Sequence, residues 1–232
     1  MKNTSNYIIL LTAVIAYALW QLPYFGWIQY PFLLLGTWFH EMGHGLTAVL
    51  IGGDFQYLEI FESGGGVAYF SLEDSYLPYK TGLALTAAGG LLGPAISGAV
   101  LIASAKKQRS AAIMLRILIG MMILSVFIWI RSFWGLVVMT AFIVFLLVIV
   151  WLKNRKLEVI TTLFLGIQCV LSTYLQLDYL FTKEFERDRD LQISDTEMIA
   201  QNTFGTYWFW AILIIIITVF LFYKSYRYYI KK

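Results

Sequence analysis

The chain of 232 residues contains two histidines, and they stand four apart in Thr37-Trp38-Phe39-His40-Glu41-Met42-Gly43-His44-Gly45. Positions i and i+4 of an α-helix lie one above the other on the same face, so His40 and His44 can grip one metal ion. Glu41 follows the first histidine and, at 3.6 residues per turn, points roughly a third of a turn away. From there it can reach a water beside the metal without being a ligand. This spacing, H-E-x-x-H, suits metal-assisted hydrolysis: two zinc ligands and a general base on one helix. From Pro31 to Ile51 the ionisable residues are His40, Glu41 and His44, set among Phe32, Leu33, Leu34, Leu35, Trp38, Phe39, Leu46, Val49 and Leu50. Ionisable groups in so apolar a segment are costly to bury and mark function. The plainer alternative is a polar cluster that ties a helix bundle together by hydrogen bonds.

The elements that must position these residues belong to a membrane protein. The composition is 59% hydrophobic and 13% charged, with a mean hydropathy of +0.72, which excludes an ordinary soluble domain. Aromatic residues make up 17%, in keeping with Trp and Tyr belts at the two interfaces. A net charge of +3 gives no case for a nucleic-acid partner. The single cysteine, Cys169, allows neither an internal disulfide nor a cysteine-based zinc site and reads as a packed core thiol.

About seven apolar segments approach the ~20 residues that cross a bilayer. The first, Ile8–Pro23, reads as a retained span, with a cleaved signal peptide as the alternative. The second starts at Pro31, carries the histidines and stops at Gly52-Gly53. Asp54–Lys80 breaks the helical pattern: 55–61 and 67–71 are strand-like around Gly64-Gly65-Gly66, which predicts a β-hairpin over about 54–72. The hairpin lies at the membrane surface or dips toward the site. It is either a cap or an edge that pairs with an extended peptide. The third segment, Gly82–Ala103, presents Gly89-Gly90 and Gly93, a small-residue face suited to packing on the histidine helix. Segments near 114–130 and 133–152 form a tight hairpin, the sixth spans about 157–181, and the last covers Tyr207–Tyr223. Between the last two lies a polar loop, about 182–206, whose alternating charges read as a solvated face. Arg116 and Arg131 are expected to snorkel to the interface.

Seven crossings put Lys106, Lys107 and Arg109, then Lys153, Arg155 and Lys156, and the basic C-terminal tail on one side. The positive-inside rule makes that side cytoplasmic. The hairpin and the 182–206 loop then share the outer side. No repeat or low-complexity linker interrupts residues 1–232, so a single membrane-embedded domain is expected.

An apolar helix bearing His40-Glu41-Met42-Gly43-His44 is followed by Gly52-Gly53, Gly64-Gly65-Gly66-Val67 and Ala87-Ala88-Gly89-Gly90-Leu91-Leu92-Gly93-Pro94. In this order the chain resembles the site-2 protease family of zinc intramembrane metallopeptidases, and in particular a divergent, peptidase-like branch. The resemblance covers roughly residues 30–105, with a second patch from Ser194-Asp195 to Ala200. It implies His40 and His44 as zinc ligands and Glu41 as the catalytic base. Members usually draw the third ligand from an Asp-Gly pair, and this chain has none. Two aspartates compete for the role. Asp195 is preferred on resemblance, although Ser194 and Glu197 around it also read as a helix-capping box. Asp178, in the apolar run Tyr174–Phe181, is the alternative third ligand on burial.

The expectation is therefore an all-α polytopic membrane protein of about seven transmembrane helices, with a small β-hairpin after the metal-binding helix. Its expected function is zinc-dependent hydrolysis of peptide bonds in membrane or juxtamembrane substrates, including regulated intramembrane proteolysis. Its partners are the lipid bilayer and a membrane protein or peptide substrate, and its expected location is a bacterial plasma membrane. The alternatives are a non-catalytic metal- or partner-binding membrane protein, and a metal or ion transporter. The scarcity of other intramembrane carboxylates argues against transport.

Overall fold

The computed structural model describes Val14 and residues 26–175, 177–187 and 190–231. The expected first span, Ile8–Pro23, lies outside the described residues but for Val14. Helix α1, Gly26–Leu50, carries both histidines. It includes residues ahead of Pro31, so that 26–30 of the aromatic stretch expected as a connection are helical. A proline inside a helix forgoes the bond its own N–H would have made and crowds the carbonyl four residues back. At the other end Gly52 adopts φ 87°. Gly53 N–H donates to Ala48 O and Gly52 N–H to Val49 O, the paired bonds of a glycine-terminated helix.

The turn out of α1 leads straight into a hairpin. Strands β1, Asp54–Ile60, and β2, Gly66–Ser71, pair antiparallel, as expected. Phe55, Leu58 and Ile60 turn inward and are buried. The hairpin dips toward α1: Thr37 Oγ1 donates to Gly64 O at 2.5 Å. The outer edge of β1 is met by the 129–132 turn. Leu58 N–H donates to Trp129 O and Arg131 N–H to Leu58 O, and Ser132 Oγ accepts from Ile60 N–H.

Long helices follow: α2 (Tyr79–Ser104), α3 (Gln108–Ile128), α4 (Phe133–Trp151) and α5 (Arg155–Leu175). Helix α2 is central, touching α1, α5 and both helices of the C-terminal part. Its small residues explain why. A Cβ on Gly93 would stand 2.5 Å from Phe39 O, and one on Gly43 would stand 2.3 Å from Gly89 O. The α1 and α2 backbones are therefore in contact, through the face expected for it. Gly98 and Gly166 bring α2 equally close to α5.

The polar stretch after α5 is not a plain loop. A short helix α6 (Leu177–Leu180) forms at the end of the expected sixth span, and the polar stretch folds into a second hairpin of β3 (Glu184–Arg187) and β4 (Asp190–Ile193) and helix α7 (Asp195–Asn202). Helix α8, Tyr207–Ile230, ends the chain.

Among the described residues five helices are long and apolar enough to cross a membrane: α2, α3, α4, α5 and α8. Helix α1 has the length, at 25 residues, but not the hydropathy. His40, Glu41 and His44, the residues that make it interesting, are what lower it. Arg131 donates to Ile128 O and Ile130 O, at and just beyond the end of α3.

Candidate metal centre

Helix periodicity places His40 and His44 on one face of α1, with their rings 4.6 Å apart. The two Nε2 atoms are 3.0 Å from each other. Asp195 arrives from the start of α7, with Oδ2 3.0 Å from His40 Nε2 and 3.4 Å from His44 Nε2. Asp178, the competing aspartate, is exposed on α6 and is not in this group. The structure thus brings one of the two candidate aspartates to the histidines and leaves the other outside.

Asp195 gets there because the chain folds back after α5. Thr196 Oγ1 donates to Leu180 O and Ser194 N–H to Lys183 O, which tie the start of α7 to the end of α6. Ser194 caps α7, its hydroxyl accepting from Glu197 N–H at 3.3 Å. The cap and the metal-facing carboxylate are neighbouring residues with separate tasks, not competing explanations of one motif. Tyr179 on α6, which the sequence did not single out, donates its hydroxyl to Asp195 Oδ2 at 3.0 Å. The same hydroxyl accepts from Asp195 N–H at 3.2 Å.

The tautomer of His44 is fixed from behind. Its Nδ1 lies 2.9 Å from Thr86 O on α2; a carbonyl only accepts, so Nδ1 carries the proton and Nε2 presents its lone pair. Gly90 on the same helix makes space for that ring, since a Cβ there would stand 2.2 Å from Nε2. His40 Nδ1 is buried with no hydrogen-bond partner among the described residues.

Two imidazole nitrogens and a carboxylate oxygen, all acceptors, lie within 4.8 Å of one another. Only a proton or a cation can sit among them. Tetrahedral zinc, with bonds of ~2.0–2.1 Å to nitrogen and oxygen, sets its ligand atoms about 3.4 Å apart. The separations of 3.0, 3.0 and 3.4 Å fit that donor set. Burial pushes the Asp195 carboxyl up, but when the imidazoles are protonated their positive charge and N–H bonds outweigh it and hold the group well below the usual carboxylate range. Burial, and then the Asp195 charge, push the Tyr179 phenol well above its ordinary value, so it stays a neutral donor.

Glu41 is 4% exposed and stands outside the ligand group. A Cβ on Gly66 would come within 2.7 Å of its Oε1, so the first residue of β2 has to be small for the carboxylate to lie there. Two clefts meet at this point. The larger, about 660 Å³, is lined by His40, Glu41, the Gly64–Gly66 turn, Tyr179 and Phe185. The smaller, about 190 Å³, adds His44, Asp195 and the edge of β2.

Two helix-borne imidazoles and a carboxylate, gathered among apolar helices of membrane length, define an integral membrane protein with a candidate metal site. The chain belongs to the Peptidase M50B-like family, within the site-2 protease group, whose model matches residues 8–225. Peptidases of this family are generally zinc-dependent. No curated protein and no solved structure matches the chain.

Proposed function

We propose that the protein is a membrane-embedded zinc endopeptidase that cuts peptide bonds in or beside the membrane segments of other proteins, as in regulated intramembrane proteolysis. One observation carries this above all: His40 Nε2, His44 Nε2 and Asp195 Oδ2 converge beside Glu41 at the meeting of two clefts. His40, His44 and Asp195 would hold the zinc as its three protein ligands. Bound zinc supplies a Lewis acid for the scissile carbonyl and acidifies a neighbouring water. Glu41 accepts the proton of the attacking water and hands it to the leaving amine. Tyr179 keeps Asp195 aimed at the histidines, and the Thr86 carbonyl keeps His44 in the tautomer that binds.

A substrate helix must unwind locally here, because its carbonyls are otherwise satisfied within the helix. Strand β2 has β1 as its one strand neighbour among the described residues, and its edge lines the smaller cleft. An extended substrate pairing there would pass next to Glu41. The proposal includes seven crossings, α1 and the Ile8–Pro23 segment joining the five apolar helices, within one domain in a bacterial plasma membrane. Membrane-anchored protein fragments compared between cells carrying the native chain and cells carrying Glu41→Gln test it. At least one soluble fragment should vanish in the variant, and identical fragment profiles would sink the peptidase reading.

A further inference from the structure

We propose that the cavity where α3 and α5 begin binds the phosphate headgroup of an anionic phospholipid. The cavity, about 480 Å³, is lined by Gln108, Arg109, Ala112, Ile113, Arg116 and Arg155. It shares no lining residue with the metal centre and does not depend on the peptidase reading.

Its charge is organised around Glu158, on α5 and 0% exposed. Arg116 Nη2 lies 3.2 Å from Glu158 Oε1, and Arg155 Nη1 lies 2.7 Å from Oε2. Arg116 is anchored across the helix pair. Each carboxylate oxygen holds one guanidinium, so both arginines are fixed in place while 45% and 53% of their side chains stay accessible. One carboxylate cannot neutralise three arginines. Arg109 makes no ion pair among the described residues, and the cavity is left with excess positive charge. Guanidinium forks held in fixed positions match the oxygens of a phosphate better than flexible ammonium groups do.

The walls select a lipid over a free anion. Ile113 lines the cavity and Ile117 follows one turn further along α3, outside it; they are 49% and 52% exposed. They continue from the arginines down a helix long and apolar enough to span a bilayer. A ligand with a phosphate at its head and alkyl chains below it satisfies both surfaces, whereas inorganic phosphate satisfies the first alone. Basic pockets between transmembrane helices are a recurrent way of holding acidic headgroups.

The test is native mass spectrometry of the full-length, delipidated protein in detergent, with phosphatidylglycerol and phosphatidylcholine of identical chains. Phosphatidylglycerol should be retained roughly tenfold more tightly or better, from about fivefold per arginine at a membrane surface. Arg109→Gln, which leaves the Arg116–Glu158–Arg155 cluster intact, should weaken that retention about fivefold. Lys224→Gln on α8 should not. Equal retention of the two lipids overturns the proposal, and so does equal loss in the two variants. Displacement of bound lipid by millimolar inorganic phosphate overturns the lipid assignment and leaves a free-anion site.

Discussion

At the scale of single residues, the centre depends on which acceptors meet and which groups hold them. Asp195→Ala should abolish zinc binding, because two imidazoles alone make an incomplete site. Asp178→Ala should leave it intact, since that carboxylate is exposed on α6. Zinc content and cobalt spectra of the two purified variants check this, and metal loss in the Asp178 variant alone would reverse the assignment. Glu41→Gln should keep its zinc while turnover falls by about 10²–10⁴-fold, the usual share of a general base. His40→Ala should lose metal and turnover together. Tyr179→Phe removes the hydroxyl that both donates to Asp195 Oδ2 and accepts from Asp195 N–H. A cost of about 10–100-fold in metal affinity is expected, measured by competition with a chelator. The meeting of His40 and His44 was legible in the sequence because one helix carries them at i and i+4, which places both rings on one face. Asp195 was only half legible, since its neighbours Ser194 and Glu197 also spell a helix cap. Tyr179 and the Thr86 carbonyl left no trace, because nothing in a sequence marks which hydroxyl or backbone oxygen will stand behind a ligand.

At the scale of elements, space decides. A Cβ on Gly90 would fall within the His44 ring's own volume, 2.2 Å from Nε2. Gly90→Ala should therefore displace the imidazole and lower metal occupancy while the bundle stays folded. Gly120→Ala on α3, where a Cβ meets nothing within 4 Å, should be neutral or stabilising. Thermal melts and zinc content of the pair separate a local effect on the site from general damage to a membrane helix. The apolar helices and the first hairpin were readable from length, hydropathy and the Gly64–Gly66 turn. The second hairpin was not. Glu184-Phe185-Glu186 does alternate, but a four-residue strand with three charged side chains carries little strand signal. The strands form because Phe185 packs on Tyr179, ring centroids 5.5 Å apart, and because Lys183 O receives Ser194 N–H. Those are tertiary facts, and a local pattern cannot supply them.

At the scale of the whole molecule, both hairpins border the same clefts, which predicts that they share one side of the membrane. Cysteines placed at Ser63 and Gln192 should react with an impermeant maleimide from one side, and those at Gln108 and Asn154 from the other. Labelling of Ser63 and Gln192 from opposite faces would be incompatible with a carboxylate of α7 standing against the histidines of α1. The same long reach of chain has a consequence in time. The histidines leave the ribosome about 150 residues ahead of Asp195, which at ~5–20 residues per second is a delay of roughly 8–30 s. Throughout that interval α2 to α5 are being made and threaded into the bilayer among other nascent proteins. The candidate site gains its carboxylate only when the biosynthesis of this chain is nearly over, so an unfinished copy holds the two histidines without their partner.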